Sequence, residues 1–333
     1  MKFRPQACIP VFVAFLFCSG YLNGIQAMDP VFSQFYAAPV YLNPAFAGST
    51  KCSRVALSQR LLRSVDNFYI ANFSYDTYVE ALQGGVGIQL TSDQANMYIM
   101  RNSLNVMYAY HMRLTATTDM SFGVQAGYTG HYSRWDRFNF PDDSEPSPDH
   151  SWKSAVDFSA GVLIFSQTIY GGLSVHHLHE PDISLFDEGG SVLHRKYTMH
   201  LGYYTASSGR FQRSFDRNIW YLSPNVIVQL QGDLTKGGHY HAHASFGFYT
   251  GRMPLMLGVW YRHWIETGGA GPQNTLVFLF GLNLDDYRIG YSYDYLAGDF
   301  SGVMHSIHEI SLAFRFNCPQ RNIGSRIINH PGF

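Results

Sequence analysis

In this chain of 333 residues, charged side chains make up 14% and aromatic ones 16%, whereas a soluble globular domain carries about 25% charge. A formal net charge of -1 offers no basic face for nucleic acid. No stretch after the N-terminus approaches the roughly 18 consecutive apolar residues of a membrane helix, so a membrane location calls for strands, of which only alternate residues must be apolar.

Residues 1–27 read as a secretory signal peptide. Lys2 and Arg4 form a positive start, residues 9–17 an apolar stretch broken by Pro10, and small residues lead to Gln26-Ala27. Cleavage is expected after Ala27, with Gly20 as the alternative. Cys18 follows Phe15-Leu16-Phe17, without the small residue that precedes a lipidated cysteine. Residues 28–51 are too irregular to cross lipid and are expected to fold into or across the periplasmic mouth as a partial plug. A barrel is expected over 52–318 and a periplasmic tail over 319–333.

Alternation of period two predicts about 14 strands, each near the 9–11 residues that cross a bilayer at a tilt. In chain order they fall at 55–62, 67–75, 85–90, 102–112, 120–132, 156–165, 170–178 and 196–205. The remaining ones fall at 220–230, 240–250, 254–264, 275–284, 287–296 and 306–316. In the last, Ile310, Leu312, Phe314 and Phe316 are assigned to lipid and Glu309, Ser311, Ala313 and Arg315 to the lumen. Short connections such as 166–168, 251–253 and 285–286 alternate with longer ones such as 133–155 and 179–195. This is the asymmetry of an outer-membrane barrel with short periplasmic turns, although 207–219 is long on the short side. The fold class is therefore all-β, a transmembrane antiparallel barrel. A soluble sandwich would put charges on one strand face, and these strands carry Gly, Ser, Gln, Asn and His there instead.

Cys8 and Cys18 leave with the signal peptide. Cys52 then precedes the first strand and Cys318 follows the last, at the periplasmic rim of the seam that closes a barrel. In an oxidising compartment they are expected to form a disulfide.

His239, His241 and His243 share one face of one strand, about 7 Å apart. Such a ladder could take zinc or copper, but the expected reading is a polar lumen wall, with no metal and no cofactor. His176, His177 and His179 are read likewise, adjacent histidines pointing to opposite strand faces. His131 and Ser133 supply the residue types of a hydrolytic pair but fall on the lumen side, away from lipid, so no catalytic residues are assigned. Asp142, Asp143, Glu145 and Asp149 lack the spacing of a calcium loop. Asp182, Asp187 and Glu188 are expected in a short helix or turn of the next outer loop.

After the cleavage site come Asp29-Pro30-Val31-Phe32-Ser33-Gln34-Phe35-Tyr36, Pro39, and Leu42-Asn43-Pro44-Ala45-Phe46-Ala47-Gly48. This opening resembles that of the PorP/SprF family of type IX secretion and gliding-motility proteins of Bacteroidetes outer membranes. Further matching stretches are 157–161, 171–178, 195–198, 222–225, 288–294 and 308–311. The family usually begins its mature chain with Gln where Met28 stands. The resemblance implies an integral outer-membrane protein in contact with lipid, acting by recognition and not as an enzyme. Its implied partners are periplasmic type IX ring lipoproteins and a secreted surface adhesin. The alternative reading is a passive porin or uptake channel.

Overall fold

The computed structural model describes residues 28–64, 68–95, 99–134, 151–166, 168–185, 192–204, 221–233, 240–252, 254–266, 273–284, 286–297 and 304–318. The signal-peptide stretch, the tail 319–333, the acidic run 142–149, Asp187, Glu188 and His239 lie outside them.

Fourteen strands form one closed antiparallel barrel. They are β1 (Ser53–Ser64), β2 (Phe68–Val79), β3 (Gly84–Ala95), β4 (Ile99–Arg113), β5 (Asp119–Ser133), β6 (Trp152–Phe165) and β7 (Ile169–His176). There follow β8 (Lys196–Tyr203), β9 (Tyr221–Gly232), β10 (Tyr240–Arg252), β11 (Leu255–Glu266), β12 (Gln273–Leu284), β13 (Tyr287–Ala297) and β14 (Met304–Phe316). Each expected strand has its counterpart. Closure joins β1 to β14 in the register Ser53↔Phe316 through Leu62↔Ile307, which leaves no free seam edge for lipid to meet.

The alternation holds on both faces. Phe122, Val124, Ile310 and Leu312 are exposed, while Ser121, Gln125, Glu309 and Ser311 are buried. The outward residues form the band that meets lipid. At one end the connections 80–83, 114–118, 166–168, 253–254 and 285–286 are short, which marks the periplasmic side. The connection 204–220 is the exception there. At the outer end 65–67 and 96–98 are short as well, so the outer loops are long only from β5 onward.

Cys52 and Cys318 are bonded at the periplasmic rim, their Cα atoms 4.3 Å apart. The bond spans 266 residues of sequence and ties the first strand to the last.

The wall is not uniformly polar on its inner face, as a polar lumen had been expected to be. Met107, Leu163, Phe165, Met256, Trp260, Val277 and Leu279 are buried inside together with Phe35, Val40, Leu42, Ala45 and Phe46. Those last five belong to residues 28–51, which fold within the barrel. Apolar wall positions have apolar neighbours to bury against, so the hydrophobic core of this protein lies in its lumen.

Candidate functional site

The segment 28–51 is made of short pieces because its prolines allow nothing longer. A 3-10 turn at Phe35–Ala37, one helical turn at Pro39–Leu42 and a second 3-10 turn at Pro44–Phe46 succeed one another. Pro39 and Pro44 each open a turn, where the missing N–H is not needed. Asn43 links the last two: its Oδ1 accepts from the Ala45 N–H at 2.9 Å, and its Nδ2 donates to the carbonyls of Val162 and Leu173, 3.1 Å each.

Three groups of polar contacts fasten the segment to the wall at three heights. At the outer end the Asp29 carboxylate accepts from Lys196 Nζ at 2.8 Å and meets Arg101 at 3.4 Å. His177 bridges Asp29 and Asp157, 2.8 Å from each. A ring that donates from both nitrogens is a cation. Burial alone would lower its pKa, but Asp29 and Asp157 outweigh that and push His177 up to about 9. Burial likewise raises Asp29, yet His177, Lys196 and Arg101 hold its carboxyl well below the usual range.

At mid-height Glu309 on β14 accepts from the backbone N–H of Ser33 at 2.7 Å and of Gln34 at 2.9 Å. Ser33 Oγ donates to Asp294 at 2.6 Å and accepts from Arg60 at 2.7 Å. Arg60 pairs with Asp294 at 3.0 Å and Glu309 at 3.4 Å, and Arg262 meets Asp294 at 3.6 Å. The Gln34 amide donates to the Glu309 carbonyl and accepts from Ser311 Oγ. Charges this deeply buried persist only when paired and hydrogen-bonded.

Near the periplasmic rim Gly48 N–H donates to Asp76 at 2.8 Å, whose carboxylate is gripped by Arg54 through two bonds of 2.8 and 3.1 Å. Ser121 Oγ donates to the Ala45 carbonyl at 2.6 Å. Two wall glycines make the approach possible. A Cβ on Gly85 would strike the backbone of Ala47 and Gly48, and one on Gly123 the backbone of Pro44 and Ala45.

The segment therefore runs the length of the lumen, from Gly48 at the periplasmic rim to Asp29 near the outer end. The sequence leads to the expectation of a segment in or across the periplasmic mouth; it enters the lumen there, at Gly48, and goes on to Asp29, which finds its compensating cations beside the outer loops. Ser33, Gln34, Asn43, Ala45 and Gly48 contact the wall through the bonds above. Tyr36 OH donates to Gln34 at 3.1 Å, and Pro30 O accepts from Tyr41 OH at 2.6 Å. Phe32 packs edge-on against Tyr41, ring centres 5.0 Å apart.

The histidines depart from their sequence reading. His176 and His177 do not point to opposite faces; both are buried. His177 has φ 58°, so the strand ends there and the ring turns inward to Asp29, a conformation that costs a non-glycine residue about 1–3 kcal/mol. His243 stands on the lumen side of β10 with its ring 4.7 Å from that of Trp264; the side chain of His241 lies outside the described set. Among the described residues no group of three or more His, Cys, Asp or Glu could hold a metal ion. His131 Nδ1 bonds the Ile183 carbonyl at 3.0 Å, and Asp182, expected in a short helix or turn, forms a bridge with Val192. Lys196, Arg60, Arg262 and Asp294 were not singled out from the sequence, and Glu309 only as a lumen-facing residue, though the matching stretches 195–198, 288–294 and 308–311 contain three of these five. Those stretches, with 157–161 and 171–178, supply part of the wall's half of the contacts, while Arg60, Arg101, Arg262, Asp76 and Ser121 lie outside them.

Comparison with solved structures finds barrels of the same kind at low identity. The CymD monoaromatic hydrocarbon channel shares 10% identity with a TM-score of 0.50, over 88% of this chain and 95% of that one. The TodX deltaS2S3 mutant monoaromatic hydrocarbon channel shares 10% with a TM-score of 0.51, over 84% and 94%. The Ralstonia pickettii toluene transporter TbuX shares 8% with a TM-score of 0.50, over 84% and 94%. These likenesses establish the fold, that of an integral outer-membrane barrel. None of the curated proteins compared matches the chain. The family profile for the type IX secretion system membrane protein PorP/SprF matches residues 25–314, and the chain belongs to that family.

Proposed function

We propose that this protein is a closed outer-membrane scaffold of the type IX secretion and gliding machinery, working by binding at its two rims and not by passing solutes. The filled lumen carries this reading. A passive porin keeps a water-filled passage, whereas here residues 28–51 occupy the barrel from rim to rim. With this segment lodged in the lumen, recognition is the activity the architecture supports. The periplasmic rim would meet ring lipoproteins, and the outer rim a secreted surface adhesin.

The test is affinity purification of the tagged protein from crosslinked outer membranes, with conductance measured in planar bilayers. Recovery of ring lipoproteins from a protein that conducts little or nothing is the expected result. A stable open conductance with no type IX component recovered would overturn it in favour of an uptake channel.

A further inference from the structure

Among the described residues, one strand of the wall lacks a paired neighbour over half its length. β6 pairs with β5 along its whole run, from Tyr132↔Trp152 to Asp119↔Phe165. On its other side it pairs with β7 only from Ala160↔Val175 to Phe165↔Tyr170. One further bond, from Leu178 N–H to the Phe158 carbonyl at 2.9 Å, ends that side of the ladder. The Phe158 N–H turns to the Asp157 side chain instead. Since Ser133 N–H bonds the Ser151 carbonyl, odd-numbered residues of β6 face β5. The N–H and C=O groups of Trp152, Ser154 and Val156 therefore point to the side where β7 is missing. Among the described residues no backbone group bonds them there.

The cause is the seat of residue 29. β7 stops at His176 because His177 adopts φ 58° to reach Asp29. The chain that would have continued the wall goes inward instead. Asp182 bridges Val192, Leu193 N–H bonds the Pro181 carbonyl, and Ile183, Ser184, Leu185 and Leu193 are buried. Closing the lumen and baring the β6 edge are two results of one turn of the backbone.

We propose that the outer half of β6 is a docking edge for an extended strand of an exported protein, which adds to the wall beside Trp152–Val156. This rests on the type IX reading, which makes an exported chain the available partner. The chemistry suits a main chain, because three residues present, in strand geometry, donors and acceptors that no described backbone group meets. A second copy does not fit. Strands tilt by roughly 35–45°, so two copies related by an axis along the membrane normal would cross their β6 edges at about twice that angle. The height suits a surface partner: counted upward from Phe165, a span of about 9–11 residues is used up near 155–157. Trp152, 51% exposed, then stands at the outer interface where aromatic residues anchor.

Two measurements decide the matter. In the full-length protein in lipid nanodiscs, hydrogen exchange at the amides of Trp152, Ser154 and Val156 should be fast, while Lys153, Ala155 and Asp157 are protected by β5. Protection at all six would mean that the protein covers its own edge, and the proposal falls. In cells, benzoylphenylalanine replacing Trp152, Ser154 or Val156 in turn should form adducts with one exported chain, at positions two residues apart in one segment. Adducts with lipid alone, or without that spacing, would overturn it. Val156→Pro removes an N–H that the β5 ladder does not use, so the barrel tolerates it. It should cut the adducts from 152 and 154 by about tenfold, the scale of one or two lost backbone hydrogen bonds. Recovery of ring lipoproteins in the same cells reports the scaffold role separately, so either reading can fail without the other.

Discussion

At the scale of single residues, the arrangement turns on His177, a histidine that leaves its strand to hold two carboxylates. Its folded pKa of about 9 lies above the ordinary 6.5, so its contribution to seating the segment is complete below about pH 6.5 and lost as pH rises through 9. Asp29 has the opposite sign: its lowered pKa stabilises above the usual carboxylate value and is lost in acid. The charges facing this pair are Asp157, Lys196 and Arg101. The seat should thus be firmest in mildly acidic solution and loosen on the alkaline side, by an amount on the order of 3 kcal/mol. A spin label on Val31→Cys reads this directly. The mobile fraction should grow between pH 6.5 and 9.5, and in His177→Ala it should be large throughout. A spectrum unchanged with pH would count against the ionic seat.

At the scale of elements, the wall glycines give a sharper separation of segment from barrel. Gly85→Ala suits the strand itself, since alanine restricts the unfolded chain more than glycine does. Its Cβ, however, meets the backbone of Ala47 and Gly48, which no rotamer change can relieve. Overpacking of this kind costs about 1–3 kcal/mol, and it falls on the segment because the strand is held by both neighbours. Limited proteolysis should cut within residues 28–51 of Gly85→Ala while the barrel remains intact. Loss of the barrel as well would show that wall and segment fold as one unit.

The same contrast explains what could be read from sequence. The strands were legible because each carries its own signal: Ile310, Leu312 and Phe314 alternate with Glu309, Ser311 and Ala313 whatever surrounds them. The seam disulfide was legible from the positions of Cys52 and Cys318 relative to the first and last strands. The path of residues 28–51 was not. Ser33 bonds Glu309 across 276 positions and Asp29 bonds Lys196 across 167, and no local periodicity encodes such partners. His177 misled for a related reason, because alternation assumes that the strand continues and the pull of Asp29 ends it.

At the scale of the whole molecule, the disulfide and the filled lumen do different work. The Cys52–Cys318 bond closes a loop of 266 residues, for which the chain-entropy view gives about 6 kcal/mol. Cys52→Ser with Cys318→Ser should lower the temperature at which the folded band is lost in heat-modifiability gels, without loosening the label at residue 31. A label that loosens at the native temperature would mean that the seam also holds the segment.

The filled lumen answers to a deletion. Without residues 29–47, Glu309, Asp294, Arg60 and Arg262 still neutralise one another in part, but Lys196, Asp157 and His177 lose their central carboxylate. Leu163, Phe165 and Trp260 lose their apolar cover. Buried charge and bare apolar surface both favour admitting water, and fourteen strands enclose room for it. The shortened protein should remain a barrel, since every strand pair and the disulfide are retained, and should conduct in planar bilayers where the full chain does not. Equal conductance from both would mean that residues 28–51 do not seal the barrel, and the scaffold reading would lose its main support. A conducting deletion that still recovers ring lipoproteins would assign binding to the rims and closure to the segment.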